Sequence, residues 1–377
     1  MLDQFAPLRN EVAADVRYPA MSEDRIVQFR SDGLGLSSAA YARLLAEIAE
    51  RRGIAADDYS RGGVVAELEE RMAALLGKEA AIFLPTGTLA NDLAVRRLAQ
   101  SGRRILVQQE SHLWNDEGDC AQHLSGLTVI PLASGRATFT LAEVEEAVAG
   151  APEMRVAVPV GAISIETPVR RVAGEAFDPA EMRAISVFAR ARGIGLHLDG
   201  ARLLLEAGYT GIVPADTAAL FDTVYVSLWK YLNAASGAIL AGSHALIDDL
   251  YHQRRMFGGS LPHAWPYAAM ALHFLDGFTE RFAQAVAAAD EFFIALRAHR
   301  RVSIERPAMA TNVTILRVNG EDAASLPQRL LAHGVAIRAP RQASRHGAEF
   351  ALHTNETILR RPVGELLDAF LAALDAA

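Results

Sequence analysis

Short apolar runs alternate with longer stretches of helical spacing between residues 64 and 241, and this alternation restricts the fold more than any other feature of the sequence. Apolar runs predict strands at 81–84, 104–107, 156–165, 194–198, 223–228 and 237–241. Helical spacing predicts helices at 64–75, 89–99, 141–149 and 179–191. Strands and helices that alternate in this way form a largely parallel sheet covered on both faces. We therefore predict an α/β fold, in which ligands bind beyond the carboxyl ends of the strands.

Lysine is almost absent from the chain, and one of its two copies follows a predicted strand. Of the 37 basic residues only Lys78 and Lys230 are lysine, and Asp199 lies 31 residues before Lys230 at the end of an earlier predicted strand. This pair suits pyridoxal phosphate (PLP), because a carboxylate holds the pyridinium N–H and an amine bonds the aldehyde. An arginine-rich genome would explain the scarcity of lysine but not its retention at position 230. Lys78 is expected in an ordinary exposed turn.

The bulk properties indicate a soluble enzyme. The chain has 377 residues, of which 51% are hydrophobic, and a length of this order favours two domains. The net charge of −8 argues against a nucleic-acid or anionic-membrane surface, since both need a basic patch. Cys120 is the only cysteine, so neither a disulfide nor a metal site is expected. Without a signal peptide or a long apolar run, the sequence predicts a cytoplasmic protein.

The pattern of the sequence changes after Pro262, where the alternation of strands and helices ends. An alanine-rich helical stretch at 267–299 leads into predicted strands at 312–318, 335–337 and 350–353 and into a closing amphipathic helix. We predict an N-terminal segment at 1–55 that packs on the body, a large α/β domain at 56–262 and a small α+β domain at 263–377.

A turn of small and hydroxyl residues precedes the predicted helix at 89–99. Thr86, Gly87 and Thr88 run from a strand end into this helix, whose free N–H groups suit a phosphate. The alternative is a plain N-cap and turn with no ligand.

Two further polar side chains follow predicted strands. The imidazole of His112 can stack on a pyridine ring and take part in proton transfer; the alternative is a loop histidine capped by Ser111. Arg202 lies three residues past Asp199 and can grip a carboxylate with two hydrogen bonds. A surface ion pair is the alternative for Arg202.

Taken in their order along the chain, the segments that carry these candidate residues resemble the threonine aldolase and aromatic amino acid β-eliminating lyase family of fold-type I PLP enzymes. The most specific match is His197-Leu198-Asp199-Gly200-Ala201-Arg202, followed by Ser227-Leu228-Trp229-Lys230. The other matching stretches are Arg30-Ser31-Asp32, Asp57-Asp58-Tyr59, Pro85 to Asn91 and Glu110-Ser111-His112. The resemblance implies a PLP-dependent transferase-like fold with a seven-stranded type of sheet in the large domain.

The resemblance also implies roles for individual residues. Lys230 would bond PLP, Asp199 would pair with the pyridine nitrogen, and His112 would stack on the ring; these three are the expected catalytic residues. The residues expected to bind the cofactor are Thr86, Gly87, Thr88, His112, Asp199, Arg202, Ser227 and Lys230. Those expected to bind the substrate are Ser31, Tyr59, Arg170 and Arg202. In this family the N-terminal segment reaches the active site and partner subunits complete it, which implies a homodimer or homotetramer.

Two departures from the family pattern concern the substrate. Family members carry Glu-Asn-Thr-His in the strand before the aspartate, where this chain has Glu166-Thr167-Pro168-Val169. An arginine that helps to bind the carboxylate is replaced by Glu349, and Arg170, Arg338 and Arg345 are candidates to substitute for it.

The family implies retro-aldol cleavage of a β-hydroxy-α-amino acid of the threonine, allo-threonine or phenylserine type, to glycine and an aldehyde. The alternatives are β-elimination to a keto acid and ammonia, aminotransfer, and a PLP-binding homologue without aldolase activity.

Overall fold

The structure is a computed structural model that describes residues 25–100, 102–150 and 155–376. Its strands are β1 (Val27–Gln28), β2 (Ala80–Leu84), β3 (Arg104–Gln108), β4 (Thr128–Leu132), β5 (Val160–Glu166), β6 (Gly195–Asp199), β7 (Thr223–Ser227), β8 (Ala238–Gly242), β9 (Val302–Glu305), β10 (Val313–Asn319), β11 (Val335–Ala336), β12 (Gln342–Ser344) and β13 (Gly347–His353). Seven of them form the central sheet in the order β2-β8-β7-β6-β5-β3-β4. Strand β8 runs in the opposite direction to the other six strands of this sheet.

Helices cover the sheet and link it to the C-terminal part of the chain. They are α1 (Ser38–Arg52), α2 (Gly63–Leu75), α3 (Gly87–Ala99), α4 (His112–Asn115), α5 (Cys120–His123), α6 (Leu141–Ala149), α7 (Pro179–Ala191), α8 (Leu203–Thr210), α9 (Pro214–Ala218), α10 (His244–Ile247), α11 (Leu250–Met256), α12 (Trp265–Leu275), α13 (Phe278–Leu296), α14 (Leu326–Ala332) and α15 (Val363–Asp375). No helix in the described ranges is both long enough and apolar enough to cross a membrane.

The C-terminal part contains a second, antiparallel sheet in the order β12-β13-β10-β9. The N-terminal segment joins this part of the chain, because β1 pairs in parallel with β11, with Val27 opposite Val335. Next to β1, the ring of Phe29 packs 6.0 Å from that of Phe292 on α13 and 6.1 Å from that of Phe370 on α15. The segment that precedes α1 is therefore anchored in the same apolar core as the C-terminal helices.

The α/β fold with a mostly parallel seven-stranded sheet and an additional antiparallel sheet is confirmed. The predicted helix at 179–191 is α7 residue for residue, since Asp178 caps its N-terminus and Pro179 occupies its first turn. The division into three parts at residues 55 and 262 stays a prediction, and residues 1–24 of the first part lie outside the described residues.

Two local predictions were wrong, and one strand was missed. Strand β5 begins at Val160 rather than at 156, because Pro159 has no N–H to give to the ladder of an internal strand. Strand β4, which contains Pro131, was not predicted, and it lies at the sheet edge, where proline is tolerated. Lys78 is half-buried rather than in an exposed turn, and its Nζ donates to the carbonyl of Phe221 at 2.6 Å.

Candidate active site

Polar side chains converge at the carboxyl edge of the central sheet. Strands β5 and β6 end at Glu166 and Asp199, which are register partners. Strand β7, the other neighbour of β6, ends at Ser227, three residues before Lys230. Because the carboxyl ends of parallel strands open at one edge of the sheet, the topology brings the predicted pair Asp199 and Lys230 together there.

Asp199 is buried and its carboxylate is held by two donors. Asn91 Nδ2 donates to Oδ2 at 2.8 Å, and the backbone N–H of Ala201 donates to Oδ1 at 3.1 Å. A carboxylate that is fixed in this way presents a defined orientation to any cationic group of a ligand.

His112 begins α4 and is held from two sides. Its Nδ1 lies 2.8 Å from Oε1 of Glu117, and its backbone N–H donates to Oε2 of Glu166 at 2.5 Å. Burial alone would lower the pKa of His112, but the hydrogen bond to Glu117 and the charge of Asp199 outweigh burial and raise this pKa. The ring is therefore oriented by a carboxylate, as in sites where histidine transfers protons.

Lys230 is half-buried and surrounded by charged groups. Burial and the neighbouring charge of Arg202 lower the pKa of its amine to about 8. Its Nζ lies 6.0 Å from the ring centroid of Tyr225 and 5.9 Å from that of Trp229, and it makes no hydrogen bond within the described part of the chain. An amine with a lowered pKa is a stronger nucleophile near neutral pH, because more of it is unprotonated.

Arg202 is buried and paired with the N-terminal segment. Its Nε donates to Oδ2 of Asp32 at 2.7 Å, and the other oxygen of Asp32 accepts from Asn312 Nδ2 at 2.8 Å and lies 3.0 Å from Nδ1 of His353. Burial would raise the pKa of Asp32, but the charge of Arg202 and the contact with His353 hold it well below its usual range. Within the Arg202 side chain only Nε is hydrogen-bonded to a described residue, which leaves the Nη edge of the guanidinium available.

The predicted phosphate turn forms the start of α3. Thr86 is the N-cap, and its hydroxyl accepts from the N–H of Leu89 at 3.2 Å. A Cβ at Gly87 would lie 2.0 Å from the phenol oxygen of Tyr225, so only glycine fits between this turn and β7. The N–H groups at the start of the helix, including that of Thr88, remain available to an anion.

Two predicted substrate-binding residues have other partners in the structure. The guanidinium of Arg170 donates to Asp116 at 2.6 Å, and its backbone N–H donates to Glu166 Oε1 at 3.1 Å. Tyr59 is exposed and lies under the guanidinium of Arg255, 4.8 Å from ring centroid to Cζ. Both remain predictions as substrate ligands, but within one chain neither side chain contacts Lys230 or Asp199.

Two carboxylates of the site were missed by sequence reasoning. Glu166 could have been found, because it ends an apolar run just as Asp199 does. Burial and the charge of Asp199 raise the pKa of Glu166 to about 7. Glu117 has no comparable signal, since its contact with His112 depends on the path of the chain between α4 and α5.

A family model for beta-eliminating lyases matches residues 28–319. A low-specificity L-threonine aldolase from Candida albicans is 32% identical over 221 residues, which are 58% of this chain and 58% of that protein. The chain thus matches less than two thirds of the length of this relative.

Solved structures resemble more than nine tenths of the chain. A protein from Listeria monocytogenes EGD-E, assigned as a candidate L-allo-threonine aldolase, superposes with a TM-score of 0.79 at 25% identity and covers 93% of this chain and 96% of its own. The structure of SPT with PLP superposes with a TM-score of 0.64, with 92% and 88% covered. At 13% identity this second likeness shows the fold alone.

The groups at the sheet edge fit PLP chemically. The ring nitrogen needs an anion, the aldehyde an amine and the phosphate a set of donors, and Asp199, Lys230 and the start of α3 offer these in turn. Ser227 supplies a further observation: its Oγ is buried and has no partner among the described residues beyond the neighbouring phenol of Tyr225. A phosphate oxygen would satisfy this hydroxyl.

Proposed function

The chain belongs to the beta-eliminating lyase family, and on that premise we propose that it is a PLP-dependent lyase that cleaves a β-hydroxy-α-amino acid to glycine and an aldehyde. One observation carries the proposal. A lysine whose amine has a pKa of about 8 lies at the sheet edge beside a carboxylate that two hydrogen bonds hold in place.

The cofactor would be held by residues of three elements. Lys230 would hold PLP covalently through Nζ, and Asp199 would form an ion pair with the ring nitrogen. The start of α3 (Thr86, Gly87 and Thr88) and Ser227 would bind the phosphate. His112 would lie against the ring. Bound PLP supplies an electron sink for the bond that breaks between Cα and Cβ.

The α-carboxylate of the substrate would bind the free edge of Arg202. Two Nη groups match two carboxylate oxygens, and Asp32 fixes the guanidinium through Nε, so little ordering entropy is lost on binding. Ser31 precedes Asp32 and would add a hydroxyl donor, with Arg170 a further candidate ligand.

His112 is the proposed acceptor of the β-hydroxyl proton, directly or through a water. As this proton leaves, the C–O bond becomes a carbonyl, the aldehyde departs, and a proton added at Cα completes glycine. The contact between Nδ1 and Glu117 would keep Nε2 as the exchanging nitrogen and stabilise the protonated ring. Lys230, with a pKa of about 8, is suited to deliver the proton to Cα.

One observation favours a second candidate, β-elimination to a keto acid and ammonia. Position 169, where the family pattern has a histidine, holds Val169, which is fully buried. The chain therefore has no imidazole at that position for a β-hydroxyl group. A PLP-binding homologue without aldolase activity is the third outcome that the experiment below distinguishes.

We also propose that a second copy of the chain covers the site, in a homodimer or homotetramer. Trp229, next to Lys230, is 54% exposed, and Met256 and Tyr59 are 65% and 44% exposed. Gly259, three residues after Met256, packs on Leu89 of α3, since a Cβ there would lie 2.4 Å from Leu89 Cδ2. Apolar side chains in such positions suit an interface.

The free thiol of Cys120 fits the proposed cytoplasmic location.

The purified protein should be loaded with PLP and incubated separately with L-threonine, L-allo-threonine and β-phenylserine. Glycine and the matching aldehyde, formed in equal amounts, are the expected products. A keto acid with ammonia and without glycine would establish elimination instead. Bound PLP with no product from any substrate would identify a homologue without this activity.

A further inference from the structure

The side-chain amide of Asn91 lies at the centre of a buried hydrogen-bond network beside the candidate cofactor site. Asn91 is on α3, four residues after Gly87, and is fully buried. Its Nδ2 lies 2.7 Å from Glu117 Oε1 and 2.8 Å from Asp199 Oδ2, and its Oδ1 lies 2.9 Å from His197 Nε2. Every polar atom of this side chain is therefore engaged.

The partners fix the orientation of this amide. An ionised carboxylate only accepts hydrogen bonds, so both carboxylates must face the NH2 group, which has one hydrogen for each. The amide oxygen then accepts from His197, which must carry its hydrogen on Nε2. Its Nδ1, 2.9 Å from Thr223 Oγ1, accepts in turn. Burial lowers the pKa of His197 to about 4, in agreement with a neutral ring.

Asn91 thus connects the two carboxylates that would act on the cofactor. Asp199 is the proposed partner of the ring nitrogen, and Glu117 orients His112. We infer that Asn91 is a positioning residue for PLP binding, because its amide holds Asp199 for the ring nitrogen and, through Glu117, holds His112 for the ring face. This inference rests on the proposed binding of PLP.

Filling the space at position 91 would not by itself require an amide. An apolar side chain of similar size would fill the same volume, but it would leave two buried carboxylates without the donor that separates them. A hydrogen bond to a charged group in such a place changes an equilibrium roughly ten- to a hundredfold. The chemistry of the two acceptors therefore accounts for asparagine here.

Asn91→Asp tests the inference because aspartate has the same shape and a different number of hydrogens. Ionised, it donates none, and protonated, it donates one. The titratable groups around position 91 are His197, Asp199 and Glu117, with His112, Tyr225 and Lys230 beyond them.

We expect Asn91→Asp to bind PLP roughly ten- to a hundredfold more weakly than wild type at pH 8.5, with a deficit that narrows towards pH 5.5. Asn91→Ala should bind PLP more weakly than wild type at every pH. Apoprotein is titrated with PLP at each pH. Each dissociation constant is divided by the wild-type value at that pH, which cancels the pH dependence that the Lys230 amine gives to both proteins. The control is Asp92→Asn, since Asp92 is buried on the same helix but bonds Ser125. It should bind PLP as wild type does.

A deficit in Asn91→Asp that is absent, or that is constant over this pH range, would overturn the inference. If Asn91→Asp does not fold, Asn91→Ser replaces it, since one hydroxyl can serve only one carboxylate. Unchanged PLP affinity in that variant overturns the inference, and a loss of about tenfold supports it. If wild type itself binds no PLP, the proposed function fails; if wild type binds PLP and the variants match it, only the role of Asn91 fails.

Discussion

The α-carbon of Gly33 lies so close to the backbone of Lys230 that a Cβ on residue 33 would be 2.3 Å from the Lys230 carbonyl oxygen. The same Cβ would be 2.6 Å from Oδ1 of Asn233, which accepts the N–H of Leu34 at 2.8 Å. The N-terminal segment therefore packs directly on the residue that is proposed to bond the cofactor.

Gly33→Ala should consequently damage both stability and cofactor binding. The new methyl group meets backbone rather than a flexible side chain, so the segment or Lys230 must move, at a cost of roughly 1–3 kcal/mol. Urea unfolding of the apoprotein and titration with PLP measure the two effects. Gly364→Ala on α15 is the matched control, because a Cβ there meets nothing within 4 Å. Equal behaviour of the two variants would contradict the packing argument.

Because the chain has only two lysines, the site of covalent cofactor binding can be identified with two variants. We expect borohydride to trap PLP on the peptide that contains Trp229 and Lys230. Lys230→Ala should abolish trapping. Lys78→Arg should retain it, since Nζ of Lys78 is already engaged in a hydrogen bond to the Phe221 carbonyl. Mass spectrometry of the trapped peptides gives the answer, and PLP on Lys78 would refute the assignment.

Asp199→Asn should retain some PLP but lose most of its turnover. The amide keeps the shape of the side chain and removes the charge that would keep the ring nitrogen protonated. Breaking a buried charge pair costs roughly 3–5 kcal/mol, which corresponds to two or more decades in kcat. Asp222→Asn is the control, because Asp222 accepts the N–H of Leu196 at the opposite end of β6. Turnover close to wild type in Asp199→Asn would exclude the proposed pair.

His112→Phe separates stacking from proton transfer. Phenylalanine retains an aromatic face and deletes the nitrogen that exchanges protons. If His112 accepts the hydroxyl proton, PLP should stay bound while kcat falls by roughly two decades or more. His123→Phe, at an exposed position on α5, is the control. Activity that largely survives in His112→Phe would restrict His112 to a stacking role.

The buried carboxyl group of Glu206 should make stability depend on pH. Burial raises its pKa in the folded chain from 4.5 to about 7. The stabilisation that comes from the protonated form is thus complete below pH 4.5 and is lost as the pH rises through 7. Glu206→Gln is neutral at every pH, so between pH 5 and pH 8 it should gain up to roughly 3 kcal/mol relative to wild type. Urea unfolding of both proteins at the two pH values measures this, and an equal difference at both would contradict it.

The sequence was sufficient to predict which residues of the proposed cofactor site share one edge of the sheet, because their positions depend on local order along the chain. Asp199 and Lys230 follow apolar strands, and the carboxyl ends of parallel strands share one edge of the sheet. The glycine-containing turn at the start of α3 was likewise predictable from its residue types. Each of these features needs only a strand, its end and the next helix.

The proposed substrate-binding part of the site was harder to predict from the sequence, because it depends on contacts between distant parts of the chain. The pairing of Arg202 with Asp32, and of Asp32 with His353, follows from the docking of three separate segments. No local pattern encodes this docking. For the same reason the contact between Arg170 and Asp116 could not be predicted from the sequence. This contact engages a guanidinium that was predicted to bind the substrate.

The contact between Asp32 and His353 spans 321 residues. During synthesis the ribosome releases Asp32 long before its partner, by tens of seconds at roughly 5–20 residues per second. Over this interval the nascent N-terminal segment has neither β11 to pair with nor the C-terminal helices to cover Phe29. Such long-range closure is slow, and it exposes apolar surface until it is complete. The guanidinium that is proposed to bind the substrate is therefore held in place only after nearly the whole chain has emerged. A growing polypeptide on the ribosome thus contains Lys230 and Asp199 well before the proposed site is complete.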